Sequence, residues 1–204
     1  MDPASHWHSV YATRAANELS WHRDHLTTSL DWIRRAGGGA VLDAGGGDST
    51  LVDDLLAEGL GPVTVVDLAA PALERAKLRL GARAAEVGWI AGDITAVALP
   101  AAGFDIWHDR ALFHFLRDPG RREAYVGQLR HALKPGGHAI FAEFAPDGPT
   151  RCSGLEVNRY GAADLGGVLG PEFHLLETAA ETHLTPAGAR QNFLYSLFRY
   201  GLEG

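Results

Sequence analysis

The run Val41-Leu42-Asp43-Ala44-Gly45-Gly46-Gly47-Asp48 constrains this chain more than any other feature: an apolar stretch ends in an acid and breaks at once into three glycines. Glycine gives a turn access to positive φ and lets a ligand approach the backbone. A strand that breaks into glycines ahead of a helix therefore reads as the binding turn of an α/β sheet. Asp67 closes the next β-branched run, about 20 residues on, where an acid can accept hydrogen bonds from both ribose hydroxyls of a nucleotide. Thr50 stands where the dinucleotide fingerprint wants its third glycine, which makes NAD the second choice of ligand.

Alternation of short β-branched runs with longer helical patterns extends the reading to most of the chain. Strands are expected at residues 40–43, 62–67, 87–91, 104–109 and 138–144. Helices follow the first, second and fourth, the first opening on a Thr50/Asp53 capping box, the second carrying Pro71 and stopping at Gly81, the third capped by Asp118 before Pro119. Lys134-Pro135-Gly136-Gly137 should end that third helix in a tight turn. Residues 145–159 read as a surface loop and 160–169 as a weak helix. Residues 173–185 and 192–200 read as an antiparallel pair at one sheet edge. Before the sheet, Leu26, Leu30 and Ile33 have helical spacing up to Gly37. The organisation expected is one domain over 1–204: an N-terminal cap (1–36), a cofactor-binding core (37–144) and an acceptor-side loop with edge strands (145–204).

Charge and cysteine usage narrow the partners. A formal net charge of -7, with no Lys/Arg run, argues against nucleic acid. Cys152 is the single cysteine, so an intrachain disulfide and a cysteine-based metal cluster are excluded, and a cytoplasmic setting fits. Asp2, His6, Trp7 and His8 at the start do not resemble a secretion signal, and no apolar run approaches the roughly 20 residues of a membrane span. The pairs His6-x-His8 and His22-x-x-His25 lack a carboxylate or cysteine partner in the pattern and read as solvated side chains, so no metal is expected. The partner expected is a small molecule, and the protein a monomer or homodimer.

Four places together resemble the class I S-adenosylmethionine-dependent methyltransferases: Asp43, Gly45 and Gly47; Asp67; Asp93 in Gly92-Asp93-Ile94; and Leu133-Lys134-Pro135-Gly136-Gly137. The resemblance covers about residues 40–144. It implies an α/β, Rossmann-like, seven-stranded and mostly parallel sheet with helices on both faces and an N-terminal helical cap. It also implies S-adenosylmethionine as cofactor, leaving as S-adenosylhomocysteine, with Asp43, Gly45, Gly46, Gly47, Asp67, Leu68, Asp93, Ile94 and Asp109 as its binding residues.

Trp107-His108-Asp109-Arg110-Ala111-Leu112 resembles the Trp-Asp-Arg-x-Ala-Leu pattern of the thiopurine and thiol S-methyltransferases, with His108 as a departure between Trp and Asp. That resemblance implies a thiol, sulfide or related chalcogen acceptor. Trp21, His25, Arg110 and His114 are then the acceptor-side residues, with Asp109, His114 or His25 as the base. Trp7, Tyr11, Trp21 and His25 are similar to the aromatic cap that such enzymes fold over a sulfonium, where cation–π attraction contributes about 0.5–2 kcal/mol. An O-methyltransferase of a small, aconitate-like acid and a protein-lysine methyltransferase are the alternatives within the class. A nucleotide-binding module or a dinucleotide-dependent reductase are the alternatives outside it.

Overall fold

The computed structural model describes residues 3–201; the first two residues of the expected cap and the last three of the edge region lie outside the described residues. In chain order the elements are α1 (Pro3–Thr13), α2 (Thr27–Arg35), β1 (Val41–Ala44), α3 (Leu51–Ala57), β2 (Val63–Asp67), α4 (Ala70–Leu80), β3 (Val87–Ala91), β4 (Phe104–Arg110), α5 (Pro119–Ala132), β5 (Leu133–Phe144), β6 (Arg151–Cys152), β7 (Leu155–Glu156), α6 (Ala162–Leu169), β8 (Phe173–Leu184) and β9 (Arg190–Tyr200).

One seven-stranded sheet runs β3-β2-β1-β4-β5-β9-β8. The first five strands are parallel, and β9 and β8 complete the sheet antiparallel, as the edge pair was expected to do. Strand order reverses between β1 and β4, and the crevice at the carboxyl ends of those two strands is where open α/β sheets hold ligands.

Both faces of the sheet are buried, which is why its parallel strands read as apolar runs. Val41, Ile106 and Ile140 pack on the face covered by α2, α3 and α4, with Leu30, Leu51 and Leu73. Leu42, Trp107 and Phe141 pack on the other face, with Tyr125 and Leu129 of α5 and Leu165 of α6. Each such side chain is fully or nearly fully buried, and burying one contributes about 1.5–3 kcal/mol. No helix among the described residues is long and apolar enough to cross a membrane.

Three local expectations are corrected. Thr50 stands at the start of α3 but forms no capping box: its hydroxyl donates instead to the Arg23 carbonyl at 3.1 Å, tying the cap to the sheet. The chain passes from α5 directly into β5 at Leu133, so Lys134 to Gly137 form an irregular entry to a strand and do not stand between two elements. Lys134 Nζ donates to both Asp105 oxygens at 2.8 Å, which braces the sheet's opposite end. Residues 145–159 are not wholly irregular either, since β6 and β7 form a small antiparallel hairpin.

Candidate active site

A cavity of about 520 Å³ opens at the carboxyl ends of β1, β2 and β3. Gly45, Asp67, Leu68, Gly92, Asp93 and Ile94 line it from the sheet. His6, Trp7 and Tyr11 line it from α1, Ala111, Leu112 and Phe115 from the turn after β4, and Arg151, Gly154, Leu155 and Glu156 from the β6–β7 hairpin. A second cavity of about 40 Å³ shares Gly45 and is lined also by Trp21, Asp43, Gly46, Asp48, His108 and Arg110.

The glycines are held by packing as much as by φ. Gly45 has φ +70, and a Cβ there would sit 2.4 Å from Leu112 Cδ1 and 2.7 Å from Leu112 Cβ. At Gly46 a Cβ would meet Asp43 Oδ2 at 2.4 Å, and at Gly47 the Tyr11 hydroxyl at 2.5 Å. The loop is thus clamped between the turn after β4 and helix α1. That turn is itself unusual, because Ala111 has φ +63, a conformation a residue with a Cβ adopts at a cost.

Asp67 is buried, and its Oδ1 accepts from the Ala69 N–H at 2.7 Å. Burial pushes its carboxyl up to about 7, against the pull of the Ala69 and Gly47 N–H groups. For Asp93, burial pushes upward but is outweighed by the hydroxyl and N–H of Thr95 and by Arg121. Its carboxyl therefore lies below the usual range. Arg121 Nη2 donates to its Oδ2 at 2.7 Å.

Asp43 faces the other way. Its Oδ1 lies 2.7 Å from His108 Nδ1, His108 Nε2 lies 2.9 Å from Ser29 Oγ, and Ser29 Oγ lies 3.2 Å from the Tyr195 hydroxyl. A carboxylate accepts from Nδ1–H, which leaves Nε2 to accept from the serine. The histidine that departs from the S-methyltransferase pattern is therefore the partner of the first motif acid.

Of the residues expected as bases, none lines either cavity. Asp109 is completely buried; its Oδ1 accepts from the Leu112 and Phe113 N–H groups at 3.0 and 3.2 Å, and its Oδ2 accepts from the Tyr125 hydroxyl. It shapes the turn that presses on Gly45 and touches no open space, which removes it from the cofactor contacts as well. His114 is equally buried, 3.0 Å from Glu143 Oε2, and burial drives its imidazole down to about 3. Burial likewise pushes the Asp109 carboxyl well above the usual carboxylate range and that of Glu143 up to about 8. His25 lies on the surface, 2.9 Å from Asp54. Each type fitted the chemistry, but the facing of a side chain from a strand end is settled by its neighbours.

Among the acceptor-side residues, Trp21 lines the small cavity and meets Trp7 and Tyr11 edge-on at 5.7 and 6.0 Å. Arg110 lies beside it, with Nη1 donating to the Trp21 carbonyl at 3.2 Å and its guanidinium 4.6 Å over Phe193. Gly46 lines the small cavity, and Gly47 packs against Tyr11 and Asp67.

The sequence reading missed His6, Phe115, Arg117, Arg121 and the hairpin. His6 does not sit in solvent as expected: it lines the large cavity, its Nε2 is shielded without a hydrogen-bond partner, and its ring meets Trp7 edge-on at 5.2 Å. The signal available was positional, since Pro3, Trp7, Val10 and Tyr11 repeat at helical spacing and His6 flanks that stripe. Arg117 forms an ion pair with Glu156, joining the segment before α5 to the hairpin at the cavity. Among the described residues no group of three or more histidine, cysteine or acidic side chains is placed to hold a metal ion.

Residues 41–137 match the family model of a methyltransferase domain. An uncharacterized methyltransferase of Mycobacterium tuberculosis (strain H37Rv) is 36% identical over 120 residues, 59% of this chain and 58% of that protein. The chain thus matches less than two thirds of the length of that relative. Among solved structures, one determined for the conversion of a disulfide bond into a thioacetal group during echinomycin biosynthesis superposes with a TM-score of 0.77 at 19% identity, covering 98% of this chain and 94% of that one. The N-methyltransferase NodS of Bradyrhizobium japonicum WM9, in complex with S-adenosylhomocysteine, gives 0.73 at 19% identity, covering 98% and 99%. The seven-stranded sheet with its antiparallel edge pair is the Rossmann-like fold that the N-methyltransferase NodS shares.

Proposed function

We propose that this protein is an S-adenosylmethionine-dependent methyltransferase acting on a small acceptor through a thiol, sulfide or related chalcogen. The observation that carries the first half is convergence: Gly45, Asp67, Leu68, Asp93 and Ile94, from the ends of β1, β2 and the segment after β3, line one cavity. Their chemistry fits the cofactor. The second oxygen of Asp67, next to Gly47, keeps a lone pair for ribose hydroxyls, Asp93 beside Ile94 offers an acceptor and an apolar edge for adenine, and Trp7 and Tyr11 line the cavity with aromatic rings that suit a sulfonium. Bound there, the cofactor supplies an electrophilic methyl group for in-line transfer.

The chain's own residues hold the reactants and exclude water. A cavity of about 520 Å³ lies in the range of roughly 300–1,000 Å³ for small-molecule sites, so cofactor and acceptor together leave room only for a small acceptor. Asp109, His114 and His25 take no part in proton removal in this reading. His6, which lines the large cavity, is the base: its Nε2 has no hydrogen-bond partner, and a turn of the ring would bring it to the acceptor's proton. With one imidazole to do this work, an acceptor that ionises easily is favoured, and a thiol near pKa 8.5 is far closer to neutrality than an alcohol.

Calorimetry with S-adenosylmethionine, S-adenosylhomocysteine and NAD tests the cofactor: the first two should bind and NAD should not. Initial rates with small thiols, sulfide, selenide and tricarboxylic acids test the acceptor. Ready methylation of tricarboxylates beside inert thiols would overturn the sulfur assignment and leave the cofactor assignment standing.

A further inference from the structure

Charged groups that line the small cavity come in pairs, with one exception. Asp43 is held by His108 at 2.7 Å, Asp48 by Arg75 at 3.5 Å, and Arg23 by Glu181 at 2.8 Å. Arg110 forms no ion pair with any described residue. Its guanidinium is nevertheless fixed, with Nη1 on the Trp21 carbonyl, the plane over Phe193 and the Tyr195 hydroxyl beside it, while Nε and Nη2 are shielded from solvent and form no hydrogen bond of good geometry. Two shielded donors left unmet on a part-buried cation are costly unless a ligand meets them. Those two nitrogens form the guanidinium edge whose parallel N–H bonds match the two oxygens of a carboxylate. Glu143, whose carboxyl feels the Arg110 charge, forms no ion pair with it, and burial pushes that carboxyl up to about 8. Arg110 lines a cavity with about 40 Å³ free, more than the roughly 10–15 Å³ that one water needs, so a turn of the guanidinium would bring its Nε–Nη2 edge to open space.

We propose that Arg110 is a specificity-determining residue whose Nε–Nη2 edge takes a carboxylate of the bound small molecules in a two-point fork. The inference rests on the methyltransferase reading for its ligands. A carboxylate has two sources here, the acceptor and the amino-acid end of the cofactor, and the small cavity adjoins the glycine loop that both approach.

The test uses the full chain and its Arg110→Met and Arg110→Lys variants. The thermal midpoint without ligand should hold or rise in Arg110→Met, since a cation with no counter-charge is removed, whereas a purely structural arginine would lower it. With an acceptor source, the wild type prefers 3-mercaptopropionate over propanethiol by about tenfold or more in kcat/KM. Arg110→Met then loses that preference while S-adenosylhomocysteine affinity stays within twofold. With a cofactor source, the calorimetric Kd for S-adenosylhomocysteine weakens about tenfold or more and the acceptor preference is unchanged. Arg110→Lys restores neither, because an ammonium presents no planar fork. Kd and preference both within twofold of wild type in Arg110→Met, or a sharp fall in its ligand-free midpoint, would overturn the proposal. A wild type that binds no S-adenosylhomocysteine sinks the methyltransferase reading alone. Arg110 is then judged by the midpoint rise that 3-mercaptopropionate gives the wild type and not Arg110→Met, and no such rise overturns it.

Discussion

Asp67 shows how one side chain carries both affinity and a pH signature. It sits in the cavity with a carboxyl raised to about 7, and ionisation makes it the better acceptor for ribose hydroxyls. Affinity for S-adenosylhomocysteine should therefore rise as pH climbs through 7, by up to about tenfold between pH 6 and 8, following the ionised fraction. Asp67→Asn should flatten that profile, and Asp67→Ala should weaken binding by about 1.5–3 kcal/mol, both read by calorimetry. At Gly45 the outcome is structural first. A Cβ 2.7 Å from Leu112 Cβ cannot be relieved by a side-chain rotation alone, so Gly45→Ala should cost about 1–3 kcal/mol in urea unfolding as well as cofactor affinity.

Helix α1 works as an element because its apolar stripe meets three others. Trp7 packs edge-on against Phe115 at 5.0 Å and Trp21 at 5.7 Å, and Arg75 of α4 donates to the Tyr11 and Arg14 carbonyls. Trp7→Ala should lower turnover while the domain stays folded, with cofactor affinity falling by about 0.5–2 kcal/mol if the ring faces the sulfonium. An unchanged kcat in that variant would remove α1 from the site. Taken as a cap alone, the segment up to Ser20 could be deleted with turnover lost and cofactor binding spared. Tyr11 against Gly47 and Asp67 leads to a different expectation, loss of both. At α5, the Asp118 side chain accepts from the Arg121 N–H at 2.9 Å. Asp118→Ala should cost about 0.5–2 kcal/mol of stability in urea and loosen Arg121 from Asp93.

At the scale of the whole molecule, burial of ionisable groups sets how stability follows pH. Asp109, Glu143 and Asp67 all have carboxyls raised in the fold, Glu143 to about 8 and Asp67 to about 7. A raised carboxyl contributes stability that is complete below its unfolded value and is lost as pH rises through the folded one. His114, held down to about 3, does the reverse: its contribution is present above the unfolded value of 6.5 and is lost as pH falls toward 3. The two trends oppose each other at acid pH, and above 6.5 the carboxyls act alone. The urea midpoint should therefore fall between pH 6.5 and 8.5, and Glu143→Gln should make that limb shallower, by up to about 1.4 kcal/mol per pH unit. An equally steep limb in the variant would show that the Glu143 carboxyl is not the source.

The order of elements, the glycine turn and the acids that end β2 and follow β3 can all be read from the residues alone. These are local statements, since strand and helix periods, a glycine run and an Asp-Pro cap are written within a few residues of each other. Even the antiparallel edge pair was legible, from two extended runs around Pro186-Ala187-Gly188. What tertiary structure decided was which polar groups face open space. Asp109 and Arg110 are neighbours on one strand, yet alternation sends Asp109 into the core against Tyr125 and leaves Arg110 beside the small cavity. His6 and His114 are the same residue type, but one lines the large cavity from a helix laid across the sheet and the other is sealed between Phe144 and Glu143. Burial and facing arise from contacts made by segments far apart in the chain, and no local pattern carries that information.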